Sequence, residues 1–340
     1  MEKVNFQTDV DRYCIILVGR PSFVGTKLWE EKFVNQLKSS DAPIDVIALV
    51  WDHDVYGTGN SKTACSGFFD INTHDDDDSA LWDLKKYITD QVVDDNGNGK
   101  VPLKTQFTDY IKSQFSFAST VTVCTVSYYD LLKRLRQRHP YNNHDQVGWQ
   151  AQHYQLSQAY LEQPELFNSY TNKSVILRTR YDLNLKIFEL AKVANQIQIF
   201  QHKYDKERLD PYIKRPNVLL QYAGWEQQHP SILGNQFWSH DTMYALDGLG
   251  LKQLCTMYED WVADDLDKRF CGNSNRPTAH MHLSEFFLTQ NYNIHFSDQL
   301  GNVTLRMWKE YHNHDDFDDH RLRWYNYTIE QQQSILGFKI

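Results

Sequence analysis

Compact apolar runs alternate with helically spaced apolar positions through the first half of the chain. Residues 13–18, YCIILV, form a β-branched run closed by Gly19, Arg20 and Pro21, which predicts a first strand ending in a tight turn. Leu28, Trp29, Phe33, Val34 and Leu37 then recur at helical spacing, with Glu30, Glu31 and Lys32 on the other side. Residues 44–50, IDVIALV, predict a second buried strand, and Trp51, Asp52 and His53 emerge at its end. Strand, turn, helix, strand is the unit that starts a parallel α/β sheet. A third strand is expected at 119–126, STVTVCTV, followed by a helix through Tyr129, Leu131, Leu132 and Leu135. A second helix, from about Gln146 to Leu161, follows the His139-Pro140 break.

The most informative stretch is 174–185, SVILRTRYDLNL. It begins as an apolar run suited to a strand covered on both faces and ends in charge. Strand side chains alternate, so persistent extended geometry would put Arg178, Arg180, Asp182 and Asn184 on one side. Two guanidiniums beside a carboxylate and an amide oxygen suit a metal-bound diphosphate. Guanidinium forks pair with phosphate oxygens, and carboxylate and amide oxygens are hard ligands of the kind Mg²⁺ or Mn²⁺ takes. The alternative is an Arg/Asp ion pair at a strand end with no ligand.

Beyond it, Ile187, Leu190, Ala191 and Val193 read as helix, Val218 to Leu220 as strand, and 278–288, TAHMHLSEFFL, as helix. Residues 54–115 are rich in Gly, Asn and Asp and read as a loop-rich insertion. No repeat or linker divides the chain, so 1–340 is read as a single domain.

Composition narrows the function classes. The net charge of −9 and the lack of a basic stripe argue against a nucleic-acid partner. The five cysteines are widely spaced without a CxxC pair, which argues against a disulfide framework or a zinc site. No run reaches transmembrane length and no secretory leader is visible, so the expected location is cytoplasmic. Histidines at 280, 282, 312 and 314 lack the spacing of a specific metal motif.

The segment Arg178-Thr179-Arg180-Tyr181-Asp182-Leu183 resembles the RTRxDL strand of GT-A-type glycosyltransferases, in particular WavE-like lipopolysaccharide and capsule enzymes. In those the strand's end takes the place of the DxD motif; here the triplet is Asp182-Leu183-Asn184, with an amide replacing the second carboxylate. The resemblance implies a GT-A-like, mostly parallel sheet with helices on both faces and a C-terminal elaboration. It also implies a nucleotide pocket at Gly19, Arg20 and Asp52, where strand ends of such sheets bind ligands. Gln152 and Gln155, on the helix before the central strand, resemble the family's Gln-containing helix facing the nucleotide sugar; an exposed polar helix face is the alternative. GNQFWSHDTM, residues 234–243, resembles the acceptor-side DQFxxGxxxxM segment, with Asn235 where an acid is common.

The implied reaction moves a sugar from a nucleotide-sugar donor to a hydroxyl of a glycan acceptor. Arg178 and Arg180 would neutralise the diphosphate, with Asp182 and Asn184 holding Mn²⁺ or Mg²⁺. Glu285 or Asp241 would take the acceptor's proton if the reaction inverts. The alternatives are a non-catalytic glycan-binding protein on a degenerate transferase scaffold and a metal-dependent hydrolase built on the His/Asp clusters.

Overall fold

The computed structural model describes residues 9–19, 30–38, 40, 42–51, 111–127, 130–131, 134, 147–181, 183–185, 188–207, 215–222, 239–259, 283, 286–297, 300 and 305–306. In chain order the elements are β1 (Arg12–Val18), a π-helical turn (Glu30–Val34) continuing into α1 (Asn35–Leu37), β2 (Ile44–Trp51), β3 (Thr120–Val126), α2 (Val147–Glu162) and α3 (Pro164–Asn168). They continue with β4 (Ser174–Arg180), β5 (Leu183–Asn184), α4 (Leu190–Glu207), β6 (Asn217–Tyr222), β7 (Ser239–Asp247), α5 (Gly248–Met257), β8 (Asn293–Phe296) and β9 (Leu305–Arg306). Most of the 54–115 stretch lies outside the described residues.

Seven strands form one sheet in the order β3-β2-β1-β4-β7-β6-β8. β1 is parallel to β2 and β4, β2 to β3, and β6 to β8; β7 alone is reversed, antiparallel to both β4 and β6. The chain is thus α/β with a mixed, mostly parallel sheet. β7 and β8 were not foreseen as strands. SHDTMYALD opens polar, and NIHF is short and half polar, so neither shows the continuous apolar run that marked the other strands.

Alternation along the strands divides the interior into two layers. Tyr13, Ile15, Leu17, Val46, Ala48, Val175 and Leu177 pack with Phe33 and Leu37, with Phe115, and with Val193 and Ile197 of α4. On the opposite face Cys14, Ile16, Ile47, Leu49, Ile176 and Leu246 pack with Leu156 of α2, Phe167 of α3 and Leu251 and Leu254 of α5. Parallel strands need this double cover because their crossovers lay helices on both sides. Each fully buried aliphatic side chain contributes roughly 1.5–3 kcal/mol, so β1, buried on both faces from Tyr13 to Val18, anchors the sheet.

The expectation of one extended segment through Asn184 is corrected. β4 ends at Arg180, the chain turns at Tyr181, and Leu183–Asn184 pairs with Leu305 and Arg306 in a separate two-stranded ladder. The cause is Tyr181: its ring is buried, its hydroxyl donates to the Leu49 carbonyl at 3.1 Å, and its backbone N–H donates to the Val18 carbonyl at 3.4 Å. Burying that ring against β1 and β2 ends the ladder. Period-two alignment therefore holds for Arg178 and Arg180 but does not carry on to Asn184.

Two buried carboxylates tie the rim where the parallel strands begin. Asp45 of β2 accepts from Arg12 of β1 at 3.0 Å, from the Thr120 hydroxyl of β3 at 2.6 Å and from the Tyr170 hydroxyl at 3.4 Å. Asp247, brought to this rim by the reversal of β7, caps α5 by accepting from Gly250 N–H at 2.8 Å. It also accepts from the backbone and side chain of Asn217 at 3.1 and 2.9 Å and from Gln201 at 3.3 Å. A side chain that both caps a helix and pins a strand and a second helix fixes their relative placement. No helix among the described residues is long and apolar enough to cross a membrane.

Gly248 sets how closely α5 approaches the start of β4. Its N–H donates to the Thr171 carbonyl at 2.9 Å, and a Cβ there would lie 2.4 Å from that same oxygen. Gly→Ala at a permissive helical site is normally stabilising by about 0.4–1 kcal/mol. Gly248→Ala is expected to do the reverse, costing about 1–3 kcal/mol through overpacking and lowering the urea midpoint followed by circular dichroism. A midpoint equal to or above that of the native chain would contradict the close approach.

Candidate functional site

The winding of the sheet singles out one place. From β1 the chain steps outward to β2 and β3, then crosses to the other side of β1 as β4. That reversal of direction is a topological switch point, and in open α/β sheets the connections leaving the carboxyl ends of the two flanking strands diverge there to leave a crevice. Val18, the last residue of β1, pairs with Arg180, the last of β4. The rim above this pair holds several of the sequence-predicted residues.

Gly19 follows Val18 with φ of 92°, a left-handed conformation that costs glycine little and other residues considerably more. A Cβ at Gly19 would meet nothing within 4 Å, so its conformation, rather than crowding, favours glycine. Its N–H donates to Gln155 Oε1 at 3.3 Å. One turn earlier on α2, Gln152 Oε1 accepts from the Arg178 guanidinium. The paired glutamines therefore grip the two strands on either side of the switch point, Gln155 on β1 and Gln152 on β4. Both are buried, which decides against the exposed polar face.

The two arginines differ in environment. Arg178 is 1% exposed, and its guanidinium lies 5.2 Å from the centre of the Tyr244 ring, the residue opposite it on β7. An amide acceptor and an aromatic face lower the cost of holding this cation out of water. Arg180, at the rim, is half-buried, the less enclosed of the two residues. Beside them Tyr154 of α2 stacks edge-on with Tyr258 at 5.0 Å, and Arg134 lies over the Tyr154 ring at 5.5 Å while bonding Glu259 at 2.6 Å. Burial pushes the Tyr154 hydroxyl up to about 12, the nearby Arg134 opposing it, so this group stays protonated at neutral pH.

Asp241 belongs to β7, whose register, Thr179 opposite Met243, carries the strand's opening residues to the carboxyl end of β4. Strand reversal thus brings Asp241's backbone to the rim holding Gly19 and Arg180. Asn184 is in β5, in the small ladder just past the turn. Arg20, Asp52, Asp182 and Glu285 lie outside the described residues, as do His280, His282, His312 and His314. Among the described residues no group of three His, Cys, Asp or Glu side chains gathers as a metal site. The expected cation site at Asp182 and Asn184 rests on the chemistry of a carboxylate and an amide oxygen, the ligand types of a hard divalent cation, and Asp182 is outside the described residues.

Sequence reasoning missed Tyr244 and Tyr154. Both lie on apolar faces where an aromatic residue reads as ordinary core. The signal for Tyr244 was the register of β7 against β4, which the chain's periodicity did not reveal. No protein-family model matches the chain, and no curated protein matches it significantly.

None of the three described cysteines is placed to act as a nucleophile. Cys14, Cys124 and Cys255 are free and buried; burial pushes the Cys124 thiol up to about 11 and raises those of Cys14 and Cys255 well above the usual thiol range. The thiolate is the reactive form, so iodoacetamide at pH 8 should leave all three unmodified in the native protein and label them in denaturant, as read by peptide mass spectrometry. Labelling of any of them at the rate of an exposed thiol would contradict their burial. Gln152→Leu retains bulk but removes Arg178's acceptor on α2. It should cost roughly 1.5–3 kcal/mol in chemical denaturation, whereas Gln152→Glu, which keeps an acceptor oxygen, should cost less.

Proposed function

We propose that the chain is a glycosyltransferase on a GT-A-type sheet, moving a sugar from a nucleoside-diphosphate sugar to a hydroxyl of a glycan acceptor. The observation that carries this reading is the Val18 and Arg180 pair at the switch point, with a left-handed Gly19 beside it and Arg178 one pleat below. Ligands of open α/β sheets bind at such crevices, and guanidiniums there favour an anionic one. The resemblance of RTRYDL to the GT-A strand supports a donor diphosphate as that anion.

In this reading Arg180 contacts the diphosphate from the rim. Arg178, buried and held by Gln152, adds positive potential from beneath without having to leave its site. Asp182 and Asn184 would hold Mg²⁺ or Mn²⁺, which when bound supplies Lewis-acid stabilisation of the departing diphosphate. Both devices act on charge that grows as the sugar's bond to the diphosphate breaks, so they favour the transition state over the ground state. Asp241, on β7 at the same rim, is the better-supported candidate for taking the acceptor's proton. Glu285 is the second.

The test is a thermal-shift and calorimetric series with UDP, GDP, CDP and their sugars, with and without Mn²⁺ or Mg²⁺. One base class should stabilise the protein, by roughly 2.7 kcal/mol at a hundredfold excess over Kd. Asp182→Ala should remove the metal-dependent part of that gain, and Arg180→Ala should weaken binding about tenfold through loss of a charge-assisted contact. If no nucleotide binds under any metal condition, the transferase reading falls, and glycan binding without a donor becomes the better account.

A further inference from the structure

The two ladders that flank β1 end at different levels. Its pairing with β2 stops at Leu17 and Ala48, whereas its pairing with β4 runs one residue further, to Val18 and Arg180. Leu49, the next residue of β2, therefore lies at the level where β1 leaves the sheet. The Tyr181 hydroxyl donates to the Leu49 carbonyl at 3.1 Å, and the Tyr181 N–H donates to the Val18 carbonyl at 3.4 Å. In the strand order β2-β1-β4, a side chain that follows β4 and bonds β2 has to pass across β1. Neighbouring strands lie about 4.8 Å apart, so it spans roughly two strand spacings, which only a long side chain bridges. The ring is fully buried and packs in the layer of Leu17 and Phe33. Tyr181 thus braces β4 against β2 beneath the switch point.

We infer that Tyr181 is a positioning residue for the diphosphate, its brace setting the separation between Arg180 and the turn at Gly19; this rests on the transferase reading of the site. Tyr181 touches both sides of the crevice. It is the chain neighbour of Arg180, and its N–H holds Val18, the residue before Gly19. Core volume alone does not account for the hydroxyl, because phenylalanine would fill the same space without a polar group to desolvate. What the hydroxyl adds is direction: a hydrogen bond fixes one atom at one distance, while apolar packing leaves a ring free to slide in its layer. Groups held in place before a ligand arrives give up little freedom on binding it, so the brace contributes to affinity without touching the ligand.

Tyr181→Phe keeps the ring and the backbone bond to Val18 and removes only the bond to Leu49. Tyr292→Phe is the matched control, since it removes the 2.7 Å bond from another buried tyrosine hydroxyl, to the Gly250 carbonyl at the opposite rim. Urea denaturation ranks the stability of both variants. Calorimetry with UDP, GDP, CDP and inorganic diphosphate, each with Mg²⁺, is run on them and on the native chain, well below their unfolding midpoints. Nearly every molecule is native there, so lost stability alone leaves Kd unchanged. The expected result is a lowered urea midpoint in both variants, about fivefold weaker binding of nucleotide and of inorganic diphosphate to Tyr181→Phe, and native affinity in Tyr292→Phe. Native affinity in Tyr181→Phe overturns the inference, leaving Tyr181 a core residue and the transferase reading intact. An equal loss of affinity in both variants also overturns it, because the effect is then not specific to the crevice. So does weaker nucleotide binding with unchanged inorganic diphosphate binding, which would place the effect at the base or ribose. No binding by the native chain overturns the transferase reading itself, and this inference with it.

Discussion

Strand β4 is the constraint on which the rest depends. It hydrogen-bonds to parallel β1 on one side and antiparallel β7 on the other, and it is buried on both faces from Ser174 to Thr179. A strand so enclosed cannot slip by one residue, since a slip would exchange the side chains packed in one layer for those in the other. Register then places everything else: Val18 against Arg180, Tyr244 against Arg178, and Asp247 against Val175. A cation tolerated in this core is therefore held at one address, between an amide on α2 and a ring on β7.

The two rims of the sheet divide their labour. At the rim where the parallel strands begin, Asp45 and Asp247 bind strands and helices into a closed hydrogen-bonded set. Among the described residues the other rim holds a left-handed glycine, a half-buried arginine and a buried amide whose oxygen accepts from that glycine's N–H. Saturated polar groups of this kind make a rigid base beneath the strands. Separating the two lets the loops above one rim differ without disturbing the core.

Much of this frame was legible in the chain. YCIILV, IDVIALV and SVIL are apolar in unbroken runs because parallel strands are covered on both faces, and those runs located β1, β2 and β4. β7 was hidden because its opening residues, SHDT, are polar and only MYAL carries the signal. The glutamines were visible as polar positions on a predicted helix, but their burial was not. Around them α2 also buries His153 and Ser157, so no clean apolar stripe tells which side of the helix faces inward. Arg178 and Arg180 were seen as equivalent, because alternation gives the face of a side chain and not its depth beneath the neighbouring helix.

The pairing of β1 with β4 joins residue 12 to residue 174, across nearly half the chain. Non-local parallel pairing is slow to form, because the intervening loop must close before any contact rewards it. Until β4 arrives, one edge of β1 stays open, and its YCIILV run is uncharged, β-branched and free of proline and glycine. Such a segment is a template for strands of other chains. The topology that builds the switch point thus also sets the most aggregation-prone interval of the molecule's life, between synthesis of its first strand and docking of its central one.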